Sequence, residues 1–83
     1  MMFLEIITPD EKVFSGEVVA VNLPGTEGPF EVLNNHAAII STLDKGNVKI
    51  SEGHNQVKNF VIDGGIVEVL NNKIIVLAEA VIG

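Results

Sequence analysis

Residues 47–79 carry the sequence NVKISEGHNQVKNFVIDGGIVEVLNNKIIVLAE, in which short apolar runs alternate with small clusters of turn residues. At the start of this stretch, Val48 and Ile50 alternate with polar residues, which is the two-residue period of a half-buried strand with these two side chains facing in. Gly53-His54-Asn55 and Asn71-Asn72 each separate two apolar runs. Because Asn tolerates the positive φ that tight hairpins require, the stretch predicts strands connected by short turns.

The same pattern extends over the whole chain, whose 83 residues have room for one domain. No segment shows a 3.6-residue period over ten or more residues, and His36 to Leu43 has room for one helical turn at most. The sequence predicts an all-β fold, a compact antiparallel β-sandwich of about 8–10 short strands without a substantial helix, as a single domain over residues 1–83. The predicted strands are Phe3 to Thr8, a short one at Val13 and Phe14 that closes at Ser15-Gly16, Glu17 to Leu23, Phe30 to Leu33, Asn47 to Ser51, Val57 to Ile62, Ile66 to Leu70 (after an interruption at Gly64-Gly65) and Lys73 to Glu79.

One predicted strand is apolar at consecutive positions, Ile74 to Leu77. A strand of this kind needs cover on both faces, from a second sheet or from a partner. A domain this short buries only roughly 60% of the surface of its unfolded chain, so its stability margin is thin. In a domain with so small a margin, a partner could supply the cover for the second face.

The composition excludes several classes of protein. The chain has no cysteine, and 5 lysines with no arginine oppose 11 acidic residues, for a formal net charge of −6. Such a chain lacks the basic surface that nucleic acid requires, and it has neither a disulfide framework nor a thiolate zinc site. The longest apolar run, Ile74 to Ala78, is far shorter than the roughly 20 residues that span a bilayer, and the N-terminus shows no signal-peptide pattern. We expect a soluble, intracellular domain with no nucleic-acid partner and no direct membrane insertion.

Residues capable of catalysis or cofactor binding do not form a recognisable constellation. The two histidines, His36 and His54, lie in separate predicted turns and have no carboxylate at a ligand-like spacing. No glycine cluster has a phosphate-binding spacing followed by a helix, and no serine lies in a strand-to-helix elbow. The sequence therefore predicts no catalytic residue, no cofactor and no metal ion, in a protein that is not an enzyme.

Lys45 supports an alternative interpretation. Leu43-Asp44-Lys45-Gly46 places a single lysine in a predicted tight turn of a small acidic β domain, as lipoyl and biotinyl carrier domains do with their modified lysine. The methionines that flank a biotinyl lysine and the usual acidic residues before a lipoyl lysine are absent. An ordinary turn lysine is the simpler interpretation, and a carrier domain modified on Lys45 remains the alternative.

Residues 21–40, VNLPGTEGPFEVLNNHAAII, connect the chain to a known family. Together with its flanking motifs, this stretch resembles the epsilon subunit of F-type rotary ATP synthases, whose members typically show Leu-Pro-Gly-x-Glu-Gly followed by Pro-Gly-His-Ala-Pro. The resemblance covers essentially the whole chain in order and at the spacing of the family. The flanking motifs are LEIITP at 4–9, FSGEV at 14–18, DGGIVEV at 63–69 and NKIIVLA at 72–78.

The sequence departs from the family pattern at several positions, and these differences predict local changes in backbone conformation. Glu31 stands where Gly is usual, so it would be strained if its φ were positive. Asn34-Asn35 stands where Pro-Gly is usual, and Asn is the next best residue for a left-handed turn. Ala38 replaces a Pro. Family members usually continue into a helical hairpin that can restrain ATP hydrolysis and bind ATP; without that C-terminal hairpin in the sequence, we expect no ATP binding.

The resemblance implies a function in the rotor. It implies a non-catalytic central-stalk subunit of the proton-translocating ATP synthase, which couples rotation of the c-ring to the gamma subunit and so to ATP synthesis. The implied location is peripheral to the energy-coupling membrane, at the cytoplasmic face of a bacterial plasma membrane. A free-standing β adaptor is a third hypothesis, distinguished by the absence of gamma and c-ring partners.

Two segments are the candidate contacts with the c-ring or gamma. By resemblance, the c-ring loops would face the turn Gly25-Thr26-Glu27-Gly28 and the segment Asn34-Asn35-His36. Turn geometry is at least an equal reason for Gly25 and Gly28, whereas a turn gains little from Glu27. The alternation pattern does not identify which apolar face meets gamma, since several strands are apolar on both sides.

Overall fold

The β-branched and aromatic residues of the chain build seven strands and no helix in the computed structural model, which describes all 83 residues. The strands are β1 (Met2–Ile7), β2 (Lys12–Val18), β3 (Ala20–Leu23), β4 (Phe30–Leu33), β5 (Ile39–Gly53), β6 (Gln56–Leu70) and β7 (Lys73–Ala78). They form one sheet in the order β2-β1-β7-β6-β5-β3-β4, in which β1 and β7 are parallel and all other neighbours are antiparallel.

Two tight hairpins organise the C-terminal half. His54 and Asn55 connect β5 to β6, and Asn71 and Asn72 connect β6 to β7. The φ angles of these four residues are 52°, 62°, 50° and 61°. Two-residue hairpin connections require such positive values, so both predicted hairpins are confirmed.

β5 and β6 are each 15 residues long and bend sharply in the middle. Along β5 the buried positions change from odd to even numbers between Leu43 and Val48, and along β6 they change from even to odd between Ile62 and Val67. Side chains alternate strictly between the two faces of a regular strand. The regular alternation must therefore be broken once in each strand, between these positions. The Gly64-Gly65 pair, with φ values of 93° and 156°, makes that break in β6.

The bend divides the sheet into two layers. The first layer contains β1, β2, β7, residues 39–43 of β5 and residues 65–70 of β6; the second contains β3, β4 and the remaining parts of β5 and β6. The ring of Phe14 in the first layer meets that of Phe60 in the second edge-to-face, with centroids 6.1 Å apart. The core between the layers consists of Met2, Leu4, Ile6, Phe14, Val18, Val21, Leu23, Val32, Leu43, Val48, Ile50, Ile62, Val67, Val69, Ile74, Val76 and Ala78.

The all-β fold class is confirmed, although the strands are fewer and longer than predicted. Gly64-Gly65 bends β6 without ending it, so two predicted strands form one. His36 to Leu43 contains no helical turn, because its second half pairs with β6 and that pairing satisfies the backbone groups. The sheet is mixed rather than wholly antiparallel, owing to the β1–β7 pair.

Two further bounds differ in the N-terminal half. Ser15-Gly16 does not end β2, which stays paired with β1 as far as Val18. The predicted strand Glu17 to Leu23 is split at Val19, the corner where the chain passes from the first layer to the second. Glu31 lies within β4 without a positive φ, so the replacement of Gly at this position causes no backbone strain.

We expect Gly65→Ala to destabilise the protein by roughly 2–3 kcal/mol. A Cβ at Gly65 would overlap the carbonyl oxygen of Leu77 and lie 3.0 Å from the Cα of Ala78, so β7 would have to move away from the bend. Gly16→Ala is the matched control, since its Cβ would stand at an ordinary 3.5 Å from the Phe14 ring. Urea unfolding measures both free energies, and equal losses in the two variants would contradict a steric requirement at the bend.

Candidate functional site

The glycines of the turn Gly25–Gly28 are required by its geometry. Gly25 is buried, and a Cβ there would lie 2.7 Å from the carbonyl oxygen of Gly28 and 2.8 Å from the ring of Phe30. Gly28 has a φ of 129° and donates its N–H to the carbonyl of Gly25 at 3.0 Å. Both glycines therefore shape the turn, which leaves its other two residues as the ones able to contact a partner.

Thr26 and Glu27 differ in how firmly they are held. The Thr26 N–H donates to the carbonyl of Thr42 at 3.1 Å, and the two hydroxyl oxygens are 2.7 Å apart. This pairing fastens the turn to the first half of β5. Glu27 is exposed and forms no ion pair, so its carboxylate is available to a partner.

The segment Asn34–His36 lies at the other end of the same half-strand, just before β5 begins. Asn35 has a φ of 64°, which confirms the expectation that Asn supplies a left-handed turn here. The Asn35 N–H donates to Oδ1 of Asn72 at 2.7 Å, and Nδ2 of Asn72 donates to Oδ1 of Asn35 at 3.2 Å. His36 is half-buried, with Nδ1 2.8 Å from the carbonyl oxygen of Ala37.

The two predicted contact segments thus flank residues 39–43 of β5, one at each end. No hydrogen bond joins them, and the three steps from Ile39 to Thr42 span roughly 10 Å in an extended strand. A shallow depression of about 380 Å³ adjoins the second segment, lined by Asn35, His36, Ala38, Leu70, Asn71 and Asn72. The arrangement suits contact with a polar surface rather than enclosure of a small molecule.

The sequence pattern does not locate the second candidate surface, which is apolar and lies on the outer side of the first layer. On the outer side of the first layer, five large apolar side chains are 37–73% exposed: Phe3, Ile40, Ile66, Leu70 and Leu77. We call these five residues the outer apolar face. They lie on adjacent strands, since Ile66 pairs with Leu77, Leu70 with Lys73, and Phe3 with Lys73 from the other side.

The apolar run of β7 could have indicated this face. Ile74 and Val76 are fully buried, whereas Leu77 on the opposite side is 52% exposed. The predicted cover over the second face of this strand is not supplied by the chain itself. What the sequence lacked was the register that places Leu77 beside Ile66 and extends the apolar surface across four strands.

A charged cluster interrupts the outer side of the first layer. The Glu5 carboxylate lies 2.7 Å from Nζ of Lys12 and 4.0 Å from Nζ of Lys73, and its side chain is only 14% exposed. The hydrogen bond from Lys12, reinforced by the charges of both lysines, holds the pKa of Glu5 below its usual value of 4.5, although partial desolvation acts in the opposite direction. The two lysines compensate the charge of a carboxylate that is largely withdrawn from water.

Other candidates for chemistry remain apart. His36 and His54 lie in separate connections, and the chain brings no group of three or more histidine, aspartate or glutamate side chains together as a metal site would require. No helix is present that could cross a membrane. Lys45 lies inside β5, paired with Asp63, so the predicted tight turn around it was wrong and it does not occupy a hairpin tip.

The structure defines an all-β domain of two layers, with one polar and one apolar candidate surface. The family model described as "ATP synthase, Delta/Epsilon chain, beta-sandwich domain" matches residues 1–83. The chain belongs to this family. Neither the match nor the position of Lys45 supports the lipoyl or biotinyl alternative.

Curated relatives and solved structures agree with this assignment. The ATP synthase epsilon chain of Maridesulfovibrio salexigens is 46% identical over 94% of this chain and 54% of its own length, and that of Chlorobium limicola is 41% identical over 94% and 89%. A chain of the Euglena gracilis mitochondrial ATP synthase superposes with a TM-score of 0.91 at 22% identity, covering 98% of this chain and 52% of its own. A Tetrahymena thermophila mitochondrial ATP synthase chain gives 0.83 at 21% identity, covering 98% and 65%.

The relatives differ in how much of their length is matched. The chain spans 54% and 61% of the epsilon chains of M. salexigens and Sulfurimonas denitrificans, but 89% of those of C. limicola and Chlorobaculum tepidum. The match therefore concerns the β-sandwich domain.

We expect Glu5→Gln to lower stability at neutral pH and to have no effect in acid. Because the pKa of Glu5 is depressed in the folded state, its stabilising contribution is present above the unfolded value near 4.5 and is lost as the pH falls through the folded value. Urea midpoints of wild type and variant, measured between pH 7 and pH 2.5, should converge at the acid end. Glu17→Gln, on the neighbouring strand and without an ion pair, controls for the loss of one negative charge; a Glu5→Gln difference that persists unchanged in acid would contradict the assignment.

Proposed function

We propose that this chain is a non-catalytic central-stalk subunit of a rotary ATP synthase, where it couples rotation of the c-ring to the gamma subunit and so to ATP synthesis. The observation that carries the proposal is the family match over all of residues 1–83. The solved structures of similar fold come from an OSCP/F1/c-ring assembly and from a central stalk with its c-ring, which is consistent with this placement.

The outer apolar face is the proposed contact with gamma. Single exposed apolar side chains are ordinary, but five on four adjacent strands, with Lys73 and Glu68 among them, concentrate apolar surface on one side of the domain, as an interface does in monomeric proteins. The fully buried centre of a protein interface is apolar, and a lasting contact buries at least roughly 1,000 Å² in total. No other surface of this chain presents aligned apolar side chains from so many strands.

The polar loops of the c-ring are the proposed partners of the other surface, made by the turn Gly25–Gly28 and the segment Asn34–His36. Glu27 offers an unpaired, exposed carboxylate, and Asn34 offers an exposed amide. An exposed ion pair contributes only about 0–1 kcal/mol, so Glu27 would orient the subunit on the ring more than hold it there. Most of the affinity would come from the contact with gamma.

A coupling subunit needs stiffness rather than a pocket. Here the two layers share β5 and β6, and the backbone hydrogen bonds of this pair lie in both layers, interrupted at the bend where Asp44 and Gly64 bond to Pro24 and Glu79 instead. Displacing the ring-facing segments relative to the gamma-facing surface would require breaking these bonds. The proposal assigns no nucleotide to this domain, because it contains no glycine-rich loop that opens a helix, the usual cradle for phosphates.

The proposed location is the periphery of the energy-coupling membrane, at the cytoplasmic face of a bacterial plasma membrane. Relatives that are 46% and 47% identical come from the bacteria M. salexigens and Pelotomaculum thermopropionicum. The acidic surface of this chain gives no basis for direct attachment to anionic lipid, so attachment would be through protein partners.

We expect Glu27→Lys to weaken binding to the c-ring several-fold while leaving the fold intact. The side chain is exposed in a turn shaped by its neighbouring glycines, so the charge reversal acts on the contact rather than on folding. Glu31→Lys is the matched control, with the same charge change at an exposed position inside β4, outside both proposed contact segments. Binding to the purified c-ring in nanodiscs and proton pumping by the assembled enzyme measure the effect. Unchanged pumping and retention of Glu27→Lys would contradict the assignment.

We expect Leu77→Gln to raise the Kd for gamma at least roughly tenfold, since a polar group would replace an apolar one within the contact. Leu77 is half exposed in the free chain, so its replacement spares the core. Val57→Gln, equally exposed on the second layer, should leave the Kd unchanged. Calorimetry with purified gamma measures both.

A pull-down from native membranes separates the proposal from its alternative. Recovery of gamma and c-ring proteins with wild type, and loss of gamma with Leu77→Gln, would support the rotor assignment. Recovery of neither with wild type would favour a free-standing β adaptor.

A further inference from the structure

Asn72 connects three parts of the molecule that are remote in sequence. Its carbonyl accepts a hydrogen bond from the Phe3 N–H at 2.9 Å. Its side-chain oxygen accepts the Asn35 N–H at 2.7 Å, and its side-chain nitrogen donates to the Asn35 amide oxygen at 3.2 Å. We infer that Asn72 is a positioning residue for the segment Asn34–His36. It holds this segment in the conformation that meets the c-ring and fixes its position relative to the outer apolar face. The inference rests on the proposed function.

The segment Asn34–His36 needs such support because its own residue types do not fix its backbone conformation. Asn35 has a φ of 64°, a region in which every residue except Gly pays a conformational cost, though Asn pays less than most. Neither Asn34 nor Asn35 has the fixed φ that proline would impose. Besides the bonds to Asn72, the backbone is held only by the His36 N–H, which donates to the carbonyl of Leu33 at 3.1 Å.

The support comes from a rigid position. Asn72 lies in the two-residue hairpin between β6 and β7, where its own φ is 61°, and it is half-buried. Leu70 and Phe3, both members of the outer apolar face, adjoin this hairpin through the pairing of each with Lys73. The hydrogen bonds between Asn35 and Asn72 therefore connect the segment Asn34–His36 to the hairpin that adjoins the outer apolar face.

Asn72→Gly tests this role without straining the turn, because glycine adopts a φ of 61° freely. Asn71→Gly is the matched control: it changes the neighbouring hairpin residue, whose φ is 50° and whose side chain makes no hydrogen bond. Asn72→Asp is the conservative variant. Its carboxylate can still accept the Asn35 N–H, and the Asn35 amide can rotate to donate to it, while Asp tolerates the left-handed region.

We expect Asn72→Gly to weaken binding to the purified c-ring in nanodiscs roughly three- to tenfold, the scale of one or two net hydrogen bonds. Binding to purified gamma should stay within about twofold of wild type, and Asn71→Gly and Asn72→Asp should retain both affinities. Amide hydrogen exchange followed by NMR gives an independent readout: exchange at Asn35 should accelerate in Asn72→Gly while exchange at Phe3 does not.

The outcomes separate the inference from the function on which it rests. If wild type binds the c-ring and Asn72→Gly binds it equally well, the positioning role is wrong while the rotor assignment stands. If Asn72→Gly loses affinity for gamma and the c-ring in parallel, or if Asn71→Gly does the same, the residue serves folding alone and the inference is overturned. If wild type does not bind the c-ring at all, the c-ring assignment fails and the inference fails with it.

Discussion

The bend at Gly64-Gly65 is the constraint on which the rest of the structure depends. It allows the β5–β6 hairpin to belong to both layers, because the two strands pair with each other on both sides of the bend. It also exchanges the faces on which odd-numbered and even-numbered side chains lie. Ile62 and Val67 can therefore both point into the core, although an odd number of positions separates them. No side chain larger than hydrogen fits at Gly65, because β7 passes against its backbone. The core, the order of the strands and the separation of the two layers all follow from this bend.

The same bend determines which apolar residues remain in water. Two layers of this size enclose 17 core side chains, and the chain is 47% hydrophobic, so apolar residues are left over. They are not spread evenly. The middle of the outer side of the second layer is polar, with Asn22, Lys49 and Asn59 in register and Asn47 bonded to Asn59 at 2.8 Å. The outer side of the first layer carries the apolar surplus, and this asymmetry is the reason for proposing it as the contact with a partner.

Local chemistry could be predicted from the sequence, whereas features that depend on distant register could not. The hairpins at His54-Asn55 and Asn71-Asn72 and the left-handed Asn35 follow from the conformational tolerance of single residues, and each is confirmed. The sequence pattern predicts a strand end at Gly64-Gly65, since a glycine pair that ends a strand and one that bends it have the same composition. It predicts a turn at Lys45 for a similar reason, because the strand partner of Lys45, Asp63, lies 18 positions away along the chain. The hydrogen-bonded pair Asn35 and Asn72 is separated by 37 positions, and no local sequence pattern predicts it.

Stability and binding are connected in this domain because the same surface affects both. A chain of this length has a small stability margin, and its most exposed large apolar side chain, Ile40 at 73%, lies on the outer apolar face. A partner that covers this face removes apolar area from water at about 25 cal/mol per Å², and by mass action it stabilises the folded state that it binds. An isolated domain would then be less stable than one in its assembly. Covering the exposed apolar residues of this face with a partner would therefore stabilise the folded domain as well as the complex.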